Sequence, residues 1–172
     1  LRKFFENVSQ QPWFEHTLFV IMADHTNELI LPEYTNSRGL YEIPIAFYHP
    51  QLTPEKRAEV VSQTDIMPSV MAWLGYDEPY FAFGENVLTR PKKHPYAVCY
   101  NAPVYQIFSD SLLVQFDGEN VTGVYDYRSD RYVRTNLKNN IEPERIEPMT
   151  DYLKAYIQQY IHRMVNDELT VK

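Results

Sequence analysis

Asp24 and His25 stand side by side at the end of the apolar run Thr17-Leu-Phe-Val-Ile-Met-Ala23, where a polar stretch begins. A carboxylate beside an imidazole is a ligand mix that suits zinc or manganese. The place, just beyond the carboxyl end of a strand, is where open α/β sheets put their ligands. Successive side chains on an extended strand point to opposite sides, so both reach one ion only if the backbone bends there. The polar stretch from Thr26 makes that bend plausible. A catalytic zinc site uses about three protein ligands and one open position. This chain offers two, and no nucleophile stands in a recognisable setting. The plain alternative is a strand-end Asp capping a turn beside a surface His.

The other chemically able residues read more simply. His16, His49, His94 and His162 are structural or exposed, with a second metal at His49 or His94 as the alternative. Asp65 is a helix-start residue. Arg38 and Lys92-Lys93 are solvated cations, with contact to an anionic substrate as the alternative. Cys99, among apolar neighbours, is a small buried hydrophobe, and one cysteine excludes both an internal disulfide and a cysteine-based zinc site.

The elements that must position these residues follow from periodicity. Leu1, Phe4, Phe5 and Val8 share a helical face, and Pro12 ends it. The 17–23 run is apolar on both faces, as in a central strand covered by helices. Residues 26–41 read as a loop, and 43–48 as a second strand with Pro44 at its start or edge. Thr53-Pro54-Glu55 opens a short helix or turn to about Val61. Thr64-Asp65 opens a clearer helix through Ile66, Met67, Val70, Met71 and Leu74, stopped by Gly75. Residues 76–95 form a proline-rich loop. Strands then follow at Ala97–Tyr100, Val104–Phe108, Leu112–Phe116 and Val121–Tyr127, with Asp117-Gly118-Glu119-Asn120 as a hairpin turn. A helix over 146–164 closes the chain, with Met149, Leu153, Tyr156, Tyr160, Ile161 and Met164 near one face. The tyrosine-rich last third reads as core packing. The expected division is an α/β layer over residues 1–95 and an antiparallel subdomain with its helix over residues 96–172.

At 172 residues the chain is long enough for a real core. A net charge of −7 argues against nucleic acid as the main partner. No apolar stretch approaches the ~20 residues of a membrane span. The chain begins at Leu1 inside an amphipathic pattern and reads as a piece of something longer.

Four segments in order resemble the alkaline phosphatase superfamily. Thr17-Leu-Phe-Val-Ile-Met-Ala-Asp-His25 resembles its metal-binding strand. Ile43-Pro-Ile-Ala-Phe-Tyr-His-Pro50 resembles the strand that follows. Ser62-Gln-Thr-Asp-Ile-Met-Pro-Ser69 with Trp73-Leu-Gly75 resembles a sulfatase-like helix. Tyr125-Asp-Tyr-Arg-Ser-Asp130 with Asn136-Leu137 resembles the late hairpin. Within the superfamily, Asp24-His25-Thr26 is most similar to the lipoteichoic acid synthase branch of phosphoglycerol and phosphoethanolamine transferases.

The resemblance implies the C-terminal portion of a sulfatase-like α/β fold. It implies a divalent metal, manganese or zinc first, magnesium or calcium as alternatives. Asp24 and His25 would be two of its ligands. The nucleophile and an acidic ligand would lie upstream, so the chain alone would be inactive. Thr26 stands where the family usually has glycine. The implied substrate is an anionic phosphodiester or a sulfate ester, and the partner is the upstream part of the same protein. The implied location is extracytoplasmic, at a membrane reached only through upstream segments. A true sulfatase with a formylglycine nucleophile, and a non-catalytic binding module, are the two rivals.

Overall fold

The computed structural model describes residues 1–26 and 30–171. Residues 27–29, part of the expected 26–41 loop, lie outside the described residues. Helix α1 (Arg2–Val8) presents Phe4 and Phe5 to strand β1 (Phe19–Met22). Phe19 sits at the centre of an aromatic cluster, with ring centroids 5.2 Å from Phe5, 5.6 Å from Phe14 and 6.0 Å from Tyr48. These are the distances at which tilted and edge-on rings attract. Tyr48 ends strand β2 (Ile45–Tyr48), which pairs antiparallel with β1 in the register Phe19↔Tyr48 to Met22↔Ile45. Pro44 falls just before β2, where its missing N–H costs no ladder bond.

The expectation of a covered central strand is not met within this chain. Among the described residues β1 pairs with β2 alone, and none of its four residues is buried. Doubly apolar strands need cover on two faces, and here α1 and the turn at Phe14 pack on Phe19 without burying the strand. Phe4 and Trp13 remain about half exposed.

The expected short helix at 53–61 does not form: 53–58 carries no regular structure. The Arg57 guanidinium instead reaches across to the carbonyls of Val87 and Leu88. A tertiary bond of that kind competes successfully with a marginal helix, which needs ~12 residues to stand alone. Helix α2 (Ile66–Trp73) forms as read, entered through a 3₁₀ turn over Gln63–Asp65. Gly75, at φ +67°, takes the left-handed conformation that ends it.

The second half is a meander of β3 (Ala97–Asn101), β4 (Val104–Phe108), β5 (Leu112–Phe116) and β6 (Val121–Asp126), in that spatial order and antiparallel throughout. Helix α3 (Glu147–Val165) crosses it. Ile107, Val114, Val124 and Leu153 are fully buried where the two meet. Each such side chain contributes roughly 1.5–3 kcal/mol of burial, and together they form the chain's main core. The Asn136 side chain extends β6, accepting from Val124 N–H at 3.1 Å and donating to Thr122 C=O at 3.2 Å. The Asp130 carboxylate gathers the N–H groups of Tyr132, Arg134 and Thr135. The late family-like motif is thus a set of turn-building residues. Hydrogen bonds tie this half to the first: Tyr41 Oη donates to Tyr100 C=O at 2.9 Å, Asn36 Nδ2 to Arg131 C=O at 3.2 Å and Lys92 Nζ to Tyr96 C=O at 2.6 Å.

Candidate metal centre

The chain does bend at the end of β1. The ladder to β2 stops at Met22↔Ile45, and Asp24 and His25 lie in the bend that follows. The bend brings Asp24 Oδ2 and His25 Nε2 to 3.4 Å. Two donors about 2.0–2.1 Å from one tetrahedral ion stand about 3.3–3.4 Å apart, so the spacing fits a shared cation. Both side chains are largely open to solvent, as an accessible site requires.

Protonation also suits ligation. His25 Nδ1 lies 2.8 Å from Thr26 C=O. In the neutral tautomer with its hydrogen on Nδ1, that carbonyl accepts the hydrogen and Nε2 keeps a lone pair for a metal. The Asp24 carboxyl is held below its usual range by the His25 N–H, then by its own N–H and, when His25 is protonated, by the charge of that ring. It is therefore an anion at neutral pH. Thr26, in the place of the family's glycine, fixes the bend from its far side: its Oγ1 donates to Leu40 C=O at 2.9 Å.

Two candidate ligands are what the bend brings together. Among the described residues, no group of three or more His, Cys, Asp or Glu side chains could hold an ion. His49 is buried, accepts from Gln51 N–H through Nδ1 at 3.2 Å, and packs at a tilt against Trp73, ring centroids 5.0 Å apart. His94 pairs with Glu85 at 3.1 Å, and His162 lies 3.4 Å from Glu168. His16 sits exposed in a 3₁₀ turn. Burial pushes the Cys99 thiol up to about 12, so it is an inert packing group.

Two cations expected in solvent are not there. The Lys92 side chain is only 3% exposed, its Nζ 2.8 Å from Asp65 Oδ2 and 2.6 Å from Tyr96 C=O. A buried ammonium needs an anion, and Asp65 is that anion. Arg38 is also largely covered, pairing with Glu42 at 2.5 Å and lying over the Tyr127 ring. Lys93, in contrast, is exposed.

Asp65 does more than start a helix. Its Oδ2 also accepts Ser62 N–H at 2.7 Å, closing a capping box, and its Oδ1 accepts Glu85 N–H at 2.8 Å. Gly84 permits this, because a Cβ there would lie 2.1 Å from Thr64 C=O. The turn so fixed carries Gln63, which faces the bend at Asp24. A cleft of about 430 Å³ lies beside the bend, lined by Asp24, His25, Tyr41, Ser62, Gln63 and Cys99 among others. The roles of Thr26 and Gln63 escaped the sequence. The Ser62-Gln-Thr-Asp65 signature was the available signal, since a turn so specified must be holding something in register.

The Sulfatase family model matches residues 1–76, the part of the chain that contains the bend. No curated protein matches the chain. Among solved structures, a protein in the alkaline phosphatase superfamily from Vibrio parahaemolyticus superposes with a TM-score of 0.78 at 18% identity, over 99% of this chain and 40% of its own. A 2-O GAG sulfatase gives 0.60 at 20% identity, over 95% and 40%. A phosphonate monoester hydrolase from Silicibacter pomeroyi gives 0.61 at 18%, over 95% and 38%. The chain spans about two fifths of the length of each. Its fold is accordingly the alkaline-phosphatase-like α/β fold of the sulfatases, or that part of it which one sheet pair, a four-stranded meander and the closing helix make up.

Proposed function

We propose that this chain supplies the C-terminal part of a metal-dependent, sulfatase-like hydrolase or transferase acting on phosphodiesters of the phosphoglycerol or phosphoethanolamine type. The observation that carries the reading is the bend after β1, where Asp24 Oδ2 and His25 Nε2 stand 3.4 Å apart and His25 Nδ1 lies 2.8 Å from Thr26 C=O. Asp24 and His25 would hold the ion, manganese or zinc by their chemistry. The remaining ligands and the nucleophile belong to sequence preceding this chain. When bound, the cation would lower the nucleophile's pKa and stabilise charge on the transferring group.

The chain's own residues do the rest. Asp24 stays anionic because N–H groups point at it. Thr26 C=O holds the imidazole in one tautomer and one orientation, the service such ligands regularly receive. The proposed place of action is outside the cytoplasm, on an anionic ester substrate rather than nucleic acid, with any membrane contact made by preceding segments.

The test is an assay of the longer protein that carries this chain, with a chromogenic phosphodiester and added manganese. Asp24→Ala should lower kcat/KM by more than about 100-fold, since even second-shell changes cost 10–100-fold. Full metal-dependent turnover in the variant refutes the assignment. A sulfatase reading is favoured by the family model over residues 1–76. A sulfate ester turned over faster than the phosphodiester would select it.

A further inference from the structure

We infer that Gln63 is the positioning residue of the metal-binding bend: its side-chain amide holds the backbone of Ala23 and Asp24 in the shape that lets Asp24 and His25 face one ion. The inference rests on the metal reading above. It begins from a backbone deficit. Strand β1 loses its ladder partner after Met22, so the carbonyls of Ala23 and Asp24 have no partner in β2. Backbone carbonyls at a bend must be paired or left to water. Gln63 Nε2 takes both, donating to Ala23 C=O at 3.1 Å and to Asp24 C=O at 2.8 Å. An amide NH₂ has two hydrogens, and here each goes to one of two successive carbonyls. The contact spans some forty residues of sequence, so it fixes tertiary geometry as well as local shape.

Gln63 is itself held. It lies in the 3₁₀ turn that Ser62 and Asp65 close, and Asp65 is anchored by Glu85 N–H and Lys92 Nζ. A relay runs from the buried Lys92–Asp65 pair, through the turn, to the carbonyls that flank Asp24. Nothing on Gln63 is aimed at an ion, and its oxygen makes no contact with Asp24 or His25 side chains among the described residues. Its effect passes through the backbone. Because Gln63 is exposed, replacing it should leave the core intact, so an effect on the bend can be read in a folded protein.

The experiment compares wild type, Gln63→Met and Thr64→Val in the 172-residue chain. Gln63→Met keeps the length of the side chain and removes both donors. Thr64→Val alters the same turn, since Thr64 Oγ1 donates to Ser62 Oγ at 3.1 Å, but leaves the amide in place. Two readouts are taken at pH 8. The first is the His25 ¹⁵N spectrum, which reports the Nδ1–H tautomer without any metal. The second is the manganese concentration that half-broadens the His25 ring signals. Expected are a Gln63→Met loss of the single Nδ1–H signature and a roughly 10-fold rise in that concentration, in line with outer-shell effects. Thr64→Val should match wild type in both. The inference is overturned if Gln63→Met keeps the tautomer and stays within about two-fold in manganese, or if Thr64→Val shifts both readouts as far. The metal reading is tested separately by Asp24→Ala in the longer protein; were manganese to leave the wild-type His25 signals of this chain unchanged, the tautomer readout alone would decide the role of Gln63.

Discussion

Replacing Lys92 by Met should destabilise the chain far more than a lysine usually matters. The side chain is 3% exposed and its partner Asp65 1%, and they meet at 2.8 Å. Lys92→Met keeps the apolar stem and removes the ammonium, with its bonds to Asp65 and to Tyr96 C=O. Asp65 would keep the N–H groups of Ser62 and Glu85, but its negative charge would lose the cation that offsets it. Removing one partner of a buried pair costs about 3–5 kcal/mol, because the other is left charged and dry. In a chain of this size each kcal/mol lowers Tm by about 2–4 °C. A fall of about 6–20 °C follows. Asp65→Ala should cost at least as much, since it strands Lys92 and unpairs two N–H groups. The double variant should cost less than the sum by about 2 kcal/mol or more, as it removes both stranded charges together. Urea unfolding followed by far-UV circular dichroism measures all four species. A Lys92→Met cost under 1 kcal/mol, or additivity within about 0.5 kcal/mol, would refute the buried-pair argument.

Two further outcomes follow from titratable groups. Burial raises the Glu85 carboxyl, but the N–H groups of Lys93 and His94 and the His94 imidazole outweigh it, so its pKa lies below normal. A depressed carboxylate stabilises the fold above its unfolded value of about 4.3 and loses that contribution as pH falls through the folded value. The urea midpoint should therefore drop between about pH 5 and 3, and drop less in Glu85→Gln; equal slopes in the two proteins would contradict this. Burial moves the Cys99 thiol from 9.0 to about 12. Three units lower the thiolate fraction about 1,000-fold, and the thiolate is the reactive form. Native chain at pH 8 should accordingly react with a thiol reagent orders of magnitude more slowly than urea-unfolded chain, and comparable rates would show the thiol to be exposed.

What could be read from the sequence was whatever a local pattern specifies. The four strands of the meander, the hairpin at 117–120, α2 and α3 fall where alternation, turn residues and 3.6-residue spacing put them. Each of these elements is decided by its own residues plus one buried face. The helix expected at 53–61 failed for the opposite reason. Thr53-Pro54-Glu55 is a good start signal, but nothing gives the segment a face to bury, and Arg57 finds the carbonyls of Val87 and Leu88 instead. Strand β1 is half-exposed because a doubly apolar run states how much cover it wants and not how much this chain provides.

The candidate centre divides along the same line. The two ligand types are visible in Asp24-His25, because ligand chemistry belongs to side chains. Their competence is not visible, because it lies in backbone that only the fold brings near: Thr26 C=O for the tautomer, Leu40 C=O for Thr26, and Gln63 for the carbonyls at the bend. Lys92 shows how this misleads. Read beside Lys93 it is one of two surface cations, yet three units of buried bonding separate it from solvent: Asp65, Tyr96 C=O and, through Asp65, the capping box. Since that box carries Gln63, Lys92 is joined to the bend at Asp24 through its bond to Asp65, the backbone of the 63–65 turn and the Gln63 amide. The destabilisation expected of Lys92→Met should then be accompanied, in whatever fraction stays folded, by the same loss of His25 tautomer order as Gln63→Met.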